Sequence, residues 1–465
     1  MTEINLDQSE NKSEEQNPEK FGVSPELMDE IIHALELKDS EQLDYLLASL
    51  HSADLADIFE QLNSANRKAL AGHMGSDMDP EVLSELDDIT LYHVIGEMED
   101  RHVVEAITQM ESDDAVHVLE DMDAEDQRKI IDALPDEDRL AVEEGLSFPE
   151  DSAGRLLQRN LITVPGSWSV EQVVNFLRAD EELPTEFYEV FVVDPLHHPI
   201  GTLSLSALLR AGENAKVMDI MDHEPKVVPV NMDQEEVAHI FRQYDLTSVA
   251  VVDEDGRLLG MITVDDVVDV IDEEAEEDIL RMAGVTDTGI AEGILEASKN
   301  RIIWLLVNLA TAVLASMVIA LFDASIEQMV ALAILMPIVA SMGGNAGTQT
   351  MTVAVRALAT RDLTSSNAMR VVGKEFSIAT LNGFVLALII GVLAGWYFNN
   401  VALGLVLALA MTVNMIMAGL AGILVPLGLD RMKLDPALSS SIFVTTITDV
   451  VGFFAFLGLA VLVLL

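Results

Sequence analysis

Residues 437–465 read ALSSSIFVTTITDVVGFFAFLGLAVLVLL, an apolar run long enough to cross a bilayer as a helix and interrupted by one acid, Asp449. An ionised carboxylate at bilayer depth costs roughly 2.5–3.5 kcal/mol even on the lenient insertion scale, so such a residue faces a bundle interior or a water-filled path. The same run contains no Lys or Arg to pair with it. A lone intramembrane carboxylate without a basic partner points to a cation as its counterpart, and hence to a cation pathway.

Working back from that run, four more apolar stretches, about 302–322, 329–357, 376–398 and 401–428, are long enough to span. The loops set an expected orientation. Arg301 precedes the first stretch, Arg356, Arg361, Arg370 and Lys374 surround the second loop, and Arg431 and Lys433 lie in the fourth. The first loop and the third, around Asn399 and Asn400, have no Lys or Arg. By the positive-inside bias the large N-terminal region is cytoplasmic, and five spans then put the C-terminus outside. The expected location is the cell membrane.

Polar residues inside the spans are few. Residues 337–349 read PIVASMGGNAGTQ. Pro337 is expected to break the local hydrogen-bond ladder, and the glycines allow close approach or exposed carbonyls. Asn345 and Gln349, four apart, share a helix face. A tight contact of small residues explains the glycines but not these two amides together. Asn308, Asn382, Asn414, Thr445, Thr446 and Thr448 read as interhelical hydrogen bonds. Gly391-x-x-x-Gly395 and Ala418-x-x-x-Gly422 offer close-packing faces that suit dimerisation.

An all-oxygen lining with a single carboxylate suits Mg²⁺, which keeps its water and is held by one or two carboxylates. Soft metals call for Cys, Met or His; the chain has no Cys and no His beyond His239. Spacing alone leaves Ca²⁺, Mn²⁺ and Co²⁺ open. The spans hold neither His nor an HExxH motif, so an enzyme is not expected.

The formal charge is −53, and because seven acids balance seven bases beyond residue 300, all of it lies in residues 1–300. Such a field repels nucleic acid and anionic lipid and concentrates divalent cations; a salt-adapted solvated surface is the competing explanation. Residues 1–22, rich in Glu, Asn, Gln and Ser, read as a disordered tail without the apolar core of a signal peptide.

Residues 23–148 carry helical periodicity. Leu55, Ile58, Phe59 and Leu62 repeat their spacing in Leu91, Val94, Ile95 and Met98, and again in Ala115, Val118, Leu119 and Met122. That recurrence predicts stacked helix pairs, punctuated by acidic turns such as 111–114, with Asp113 and Asp114, and 121–123. Most of those acids suit N-caps.

Residues 149–271 contain two short buried-strand runs, 190–194 and 249–253, that match at an offset of 59 residues without a gap, so that Asp194 maps on Asp253 and Gly201 on Gly260. This tandem resembles a pair of CBS modules, which bind adenine nucleotides or ions. The resemblance gives Thr263 and Asp266, in Gly260-Met261-Ile262-Thr263-Val264-Asp265-Asp266, as nucleotide-binding candidates, whereas the first copy has Ala207 in place of the acid. An N-cap role for Thr263 or Asp265 competes with that reading. Residues 272–300 form a connector that opens with Asp272-Glu273-Glu274-Ala275-Glu276-Glu277-Asp278 and has a second helical stretch over 289–299. Its like charges repel unless cations bridge them.

The order of these parts, with Gly343-Gly344-Asn345-Ala346-Gly347-Thr348-Gln349, Arg356-Ala357-Leu358-Ala359-Thr360-Arg361-Asp362, Asp435-Pro436-Ala437 and Thr448-Asp449-Val450, resembles the MgtE family of bacterial magnesium channels. The resemblance implies an α-helical superhelical N-domain, an α/β CBS pair, an acidic connector or plug helix and a five-helix transmembrane domain over 301–465. It implies a homodimer with a pore on its two-fold axis, where Asp449, with Asn345 as second candidate, holds hydrated Mg²⁺. It implies regulatory Mg²⁺ bridging Asp253, Asp272, Glu273, Glu276, Glu277, Asp113 and Asp114 to shut the pore, with ATP as a further ligand of the CBS pair. A Na⁺- or H⁺-coupled divalent cation transporter is the alternative; the sequence offers it no second intramembrane acid and no inverted repeat.

Overall fold

Asp, Asn and Ser placed one residue ahead of apolar periodic segments start many of the helices of the N-terminal region. In a computed structural model of the chain, residues 22–120, 122–179, 183–184, 187–285, 294–438 and 440–465 are described. The expected tail, apart from Gly22, lies outside them, as do Asp121 of one acidic turn and residues 286–293 of the connector. The chain divides into two compact units, Met1–Val267 and Val268–Leu465.

In the first unit, short helices stack around one apolar core. Ser24 caps the helix Pro25–Leu37, Asn63 caps Ser64–Met74, Asp79 caps Pro80–Ser84 and Asp87 caps Asp88–Ile95. Each cap oxygen takes a backbone N–H that the first turn leaves unpaired, typically contributing about 1 kcal/mol. The three repeated apolar sets converge in one core, with Leu55, Ile58, Phe59, Leu62, Leu91, Val94, Ile95, Ala115, Val118 and Leu119 buried and Met98 and Met122 at its margin.

The same unit contains two matching sheets. β1 (Thr163–Pro165) pairs parallel with β2 (Glu189–Val193), which pairs antiparallel with β3 (Pro199–Ser204). β4 (Val227–Pro229), β5 (Ser248–Val252) and β6 (Leu258–Thr263) repeat this order. The register repeats too: Val192 faces Gly201 and Val251 faces Gly260, and both hairpins carry an irregularity one residue later. Both glycines are required by close backbone approach. A Cβ on Gly201 would lie 2.5 Å from the Asp222 carbonyl, and one on Gly260 would lie 2.3 Å from the Gln158 carbonyl. Each copy's lead-in segment therefore crosses the other copy's last strand, with isolated bridges at Thr202–Asp222 and Gln158–Met261.

The sequence places the module boundary at residue 271, but the helix Val264–Ala283 runs on through it. No Gly or Pro interrupts these 20 residues, so nothing stops the helix there. Its end is set by Gly284, whose positive φ of 70° suits glycine. The boundary between compact units falls at Val267, inside the helix.

Among the described residues of the second unit, five helices are long and apolar enough to span: Arg301–Ala320, Ala331–Ala359, Ala368–Tyr397, Val401–Arg431 and Ser441–Leu464. A short helix, Asp323–Gln328, joins the first two. Pro337 does not break the second span, which stays helical from Ala331 to Ala359; the ring removes one donor, and the remaining ladder holds.

Glycines set the spacing of the later spans. Gly391 and Gly404 bring the third and fourth spans into backbone contact, a Cβ on Gly404 falling 2.4 Å from the Gly391 carbonyl. A Cβ on Gly422 would lie 2.6 Å from the Gly347 carbonyl on the second span. The two small-residue motifs read as dimerisation faces are thus used inside one chain, because a motif shows which face packs closely but not against what. The threonines also differ from expectation. Thr445, Thr446 and Thr448 donate to the carbonyls of Ser441, Ile442 and Thr445 in their own helix rather than across helices.

Candidate ion-pathway and regulatory sites

The second span has two contrasting faces. Leu332, Leu335, Val339, Gly343, Gly347, Met351 and Ala354 are buried at helical spacing. Ser341, Asn345, Thr348, Gln349 and Thr352 form an exposed polar face on the same helix. Thr352 satisfies its hydroxyl on the Thr348 carbonyl at 3.0 Å. A polar stripe of this kind is unfavourable against lipid tails and needs a water-filled cavity or a partner surface. Asn345 lies on this stripe.

Asp449 is half-buried on the fifth span, next to the fully buried Thr448. The second and fifth spans pack closely here: a Cβ on Gly347 would fall 2.4 Å from a Val444 methyl and 3.7 Å from the Thr448 methyl. Asn345 and Asp449 are therefore carried by two neighbouring helices whose separation is set by glycine contacts.

A second site forms in the first unit from residues far apart in sequence. Ser112 starts the helix Ser112–Glu120; its hydroxyl donates to the Leu157 carbonyl at 2.8 Å and accepts from the Arg159 amide at 3.1 Å. Arg155 Nη1 adds an ion pair to Glu120 at 2.8 Å, and Arg159 pairs with Glu144. These bonds tie the helical stack to the segment that crosses β6. Asp113 and Asp114 thereby come up against Asp265 and Asp266 at the start of the next helix.

Asp113 is 6% exposed, and its Oδ1 has no hydrogen-bond partner among the described residues. Burial, and then the charges of Asp266 and Asp114, push its carboxyl well above the usual range. Burial also raises Asp114 to about 6 and Asp266 to about 7, with neighbouring acids adding to both. Sequence reading names Asp113 and Asp114 as regulatory metal candidates but does not name Asp265 and Asp266 as their neighbours. Nothing local signals a pairing across 150 positions.

Thr263 and Asp266 have a local structural role. Asp266 Oδ2 accepts from the Thr263 hydroxyl at 2.7 Å and from its amide at 3.3 Å, the carboxylate half of a capping box at the head of Val264–Ala283. Gln158 Nε2 donates to the same carboxylate oxygen at 3.1 Å and to Thr263 Oγ1 at 3.3 Å. Any nucleotide using this pair must displace Gln158. Asp253 has turn work as well: its Oδ1 accepts from the Asp255 and Arg257 amides, both at 2.8 Å. Asp194 repeats this on Leu196 and His198 in the first copy, so the carboxylate belongs to the repeated hairpin.

The connector residues belong to the second unit. Asp272, Glu273 and Glu276 are exposed, while Glu277 pairs with Arg281. Arg281 Nη1 also bonds Asp435 at 2.7 Å, in the loop between the fourth and fifth spans, and Ser441 donates to the Met282 carbonyl at 2.8 Å. Burial and the nearby Asp435 raise Asp278 to about 6. Arg281, Asp278 and Asp435 were missed as a group, since the first two look like ordinary members of a charged helix. Among the described residues no three His, Asp or Glu side chains converge closely enough to hold a metal ion by themselves. The buried, unpartnered oxygen of Asp113 opposite a second carboxylate nevertheless fits a hydrated hard cation better than a soft one.

Comparison with known proteins agrees with this layout. A family model described as MgtE, divalent cation transporter, matches residues 336–459; the MgtE intracellular N domain matches 50–151, and the CBS domain matches 217–273. The magnesium transporter MgtE of Enterococcus faecalis is 32% identical over 319 residues, covering 69% of this chain and 70% of that protein. That of Thermus thermophilus is 36% identical, covering 70% and 73%. The solved cytosolic domain of the Mg²⁺ channel MgtE in complex with ATP is 30% identical, with a TM-score of 0.49, covering 52% of this chain and 99% of that one.

Proposed function

Because the chain belongs to the MgtE family of magnesium transporters, a family of multi-pass membrane proteins rather than enzymes, we propose that it is a Mg²⁺-selective channel for uptake, working as a homodimer and closed by cytosolic Mg²⁺. The observation that carries this reading is the exposed polar face of the second span, with Asn345, beside the helix that bears Asp449. One chain leaves that face uncovered. A second copy across a two-fold axis would enclose it as a water-filled path, with one Asp449 from each chain offering its carboxylate to the hydration shell of Mg²⁺. The basic loops favour an N-terminus in the cytoplasm and a C-terminus outside.

For closure, Mg²⁺ must bind the shut state more tightly than the open one. Asp113 and Asp114 facing Asp265 and Asp266 supply such a difference: these carboxylates repel when ionised, and a divalent ion between them removes the penalty. Asp253, Asp272, Glu273, Glu276 and Glu277 are the further ligands in this reading. An adenine nucleotide at Thr263 and Asp266 is the finer reading of the CBS pair, in competition with Gln158 for the same atoms.

The test is single-channel recording of reconstituted protein with Mg²⁺ as charge carrier, stepping cytosolic Mg²⁺, in wild type and Asp449→Ala. Currents that close as cytosolic Mg²⁺ rises and vanish in the variant are expected. Electrically silent membranes that still take up Mg²⁺ would replace the channel by a coupled transporter.

A further inference from the structure

The fourth span contributes no residue to the proposed pathway, yet it buries an amide completely. Asn414 is 0% exposed, and its Nδ2 donates to the Val339 carbonyl of the second span at 2.8 Å. Two glycines make room for it. A Cβ on Gly343 of the second span would fall 2.2 Å from Nδ2 and 3.2 Å from Oδ1; a Cβ on Gly452 of the fifth span would fall 2.7 Å and 3.1 Å from the same atoms. The amide thus lies between the second and fifth spans, and Oδ1 has no hydrogen-bond partner among the described residues.

Position gives this junction its meaning. Gly343 precedes Asn345 by two residues and Gly452 follows Asp449 by three, so the amide stands within one helical turn of both. An apolar side chain would fill the same space without leaving a buried oxygen unmatched, which carries the desolvation penalty of that group. Apolar seams also tolerate axial sliding. A buried polar group that fits at one level only does not, and fixing register is the best-attested use of such groups.

We propose that Asn414 is a positioning residue of the ion pathway, locking the axial register of the second span against the fifth so that Asn345 and Asp449 stand at a fixed relative height. It touches no ion itself. The inference rests on the pathway reading given above and extends it to a helix that does not line the path.

The test measures Mg²⁺ uptake against external Mg²⁺, and the ratio of Mg²⁺ to Ca²⁺ uptake, in proteoliposomes of the full chain. Asn414→Leu keeps the volume and removes the amide; it should assemble but raise half-saturating Mg²⁺ about tenfold and lower the Mg²⁺/Ca²⁺ ratio. Gly343→Ala alone should destabilise the protein through the 2.2 Å contact. The pair Gly343→Ala with Asn414→Ala relieves that contact, so it should regain thermal stability without regaining the ratio. If Asn414→Leu fails to assemble, the pair decides. Wild-type saturation and ratio in either assembled protein would overturn the proposal and leave Asn414 a packing residue. Asp449→Ala, measured alongside, separates the two ideas: undiminished uptake there removes the pathway reading itself.

Discussion

Asp113→Asn should stabilise the first unit at pH 8 when no divalent ion is present, although it replaces a charged residue with a neutral one in an acidic protein. Asp113 is buried against Asp266, and its Oδ1 has no partner among the described residues to satisfy it. Both Asp113 and Asp266 have folded pKa values above the ordinary 3.8. Below about pH 4 the folded and unfolded chains hold these protons alike. Between there and about pH 7 the folded chain keeps protons that the unfolded chain has lost, so stability falls as pH rises and stays low beyond. Each pKa unit corresponds to about 1.4 kcal/mol. Asp266, moved from 3.8 to about 7, thus withholds on the order of 4 kcal/mol at pH 8. An Asn at 113 removes the buried charge of Asp113 itself and its repulsion with Asp266 and Asp114, and recovering about 1–2 kcal/mol would raise the melting temperature by roughly 2–8 °C for a unit of this size. The assay is calorimetry of the full chain in detergent with a chelator, at pH 5 and pH 8. At pH 5 the raised carboxyl of Asp113 holds its proton more fully than at pH 8, so the variant's advantage over wild type should shrink there. A variant that melts at or below wild type at pH 8 would refute the electrostatic reasoning. Millimolar Mg²⁺ should stabilise wild type at pH 8 and the variant less.

Gln158→Ala should tighten ATP binding measured by calorimetric titration, because it frees Thr263 Oγ1 and Asp266 Oδ2; unchanged or weaker binding would move any nucleotide site elsewhere. Arg281→Ala removes the ion pair with Asp435 beside the raised carboxyl of Asp278. The two side chains are only partly exposed, so about 1 kcal/mol is at stake; in the proposed reading, with this contact holding the closed state, that is a roughly fivefold rise in the cytosolic Mg²⁺ needed for half-closure in patch recordings. Gly422→Leu should abolish assembly, since even a Cβ there meets the Gly347 carbonyl at 2.6 Å; a normal gel-filtration profile would show that the seam can open.

Repetition made part of the fold legible. The 59-residue offset between Asp194 and Asp253 reappears as matched strand registers and matched turn bonds, because a duplicated sequence repeats its local chemistry. The spans were legible because bilayer thickness demands long apolar runs. What stayed hidden depended on which surfaces meet. Asp113 looks like any acid in the first turn of a helix until the Ser112 bonds bring it to Asp266. The glycine motifs in the third and fourth spans read equally well as contacts within a chain or between chains. Thr263 and Asp266 suit a ligand motif and a local helix-start contact with the same atoms, and only coordinates show the local contact formed.

The glycine contacts among the second, fourth and fifth spans limit how such a protein can open. Side chains adapt to motion by changing rotamer, but peptide backbones in direct contact have no rotamers to change. Gly347 against Gly422 forms such a joint without lubricant, and Gly343 and Gly452 close on a single buried side chain, Asn414, that has little room to turn. In the proposed reading of closure by cytosolic Mg²⁺, a graded response would come from elements outside this seam, leaving the three helices around Asp449 to behave as a single stiff wall.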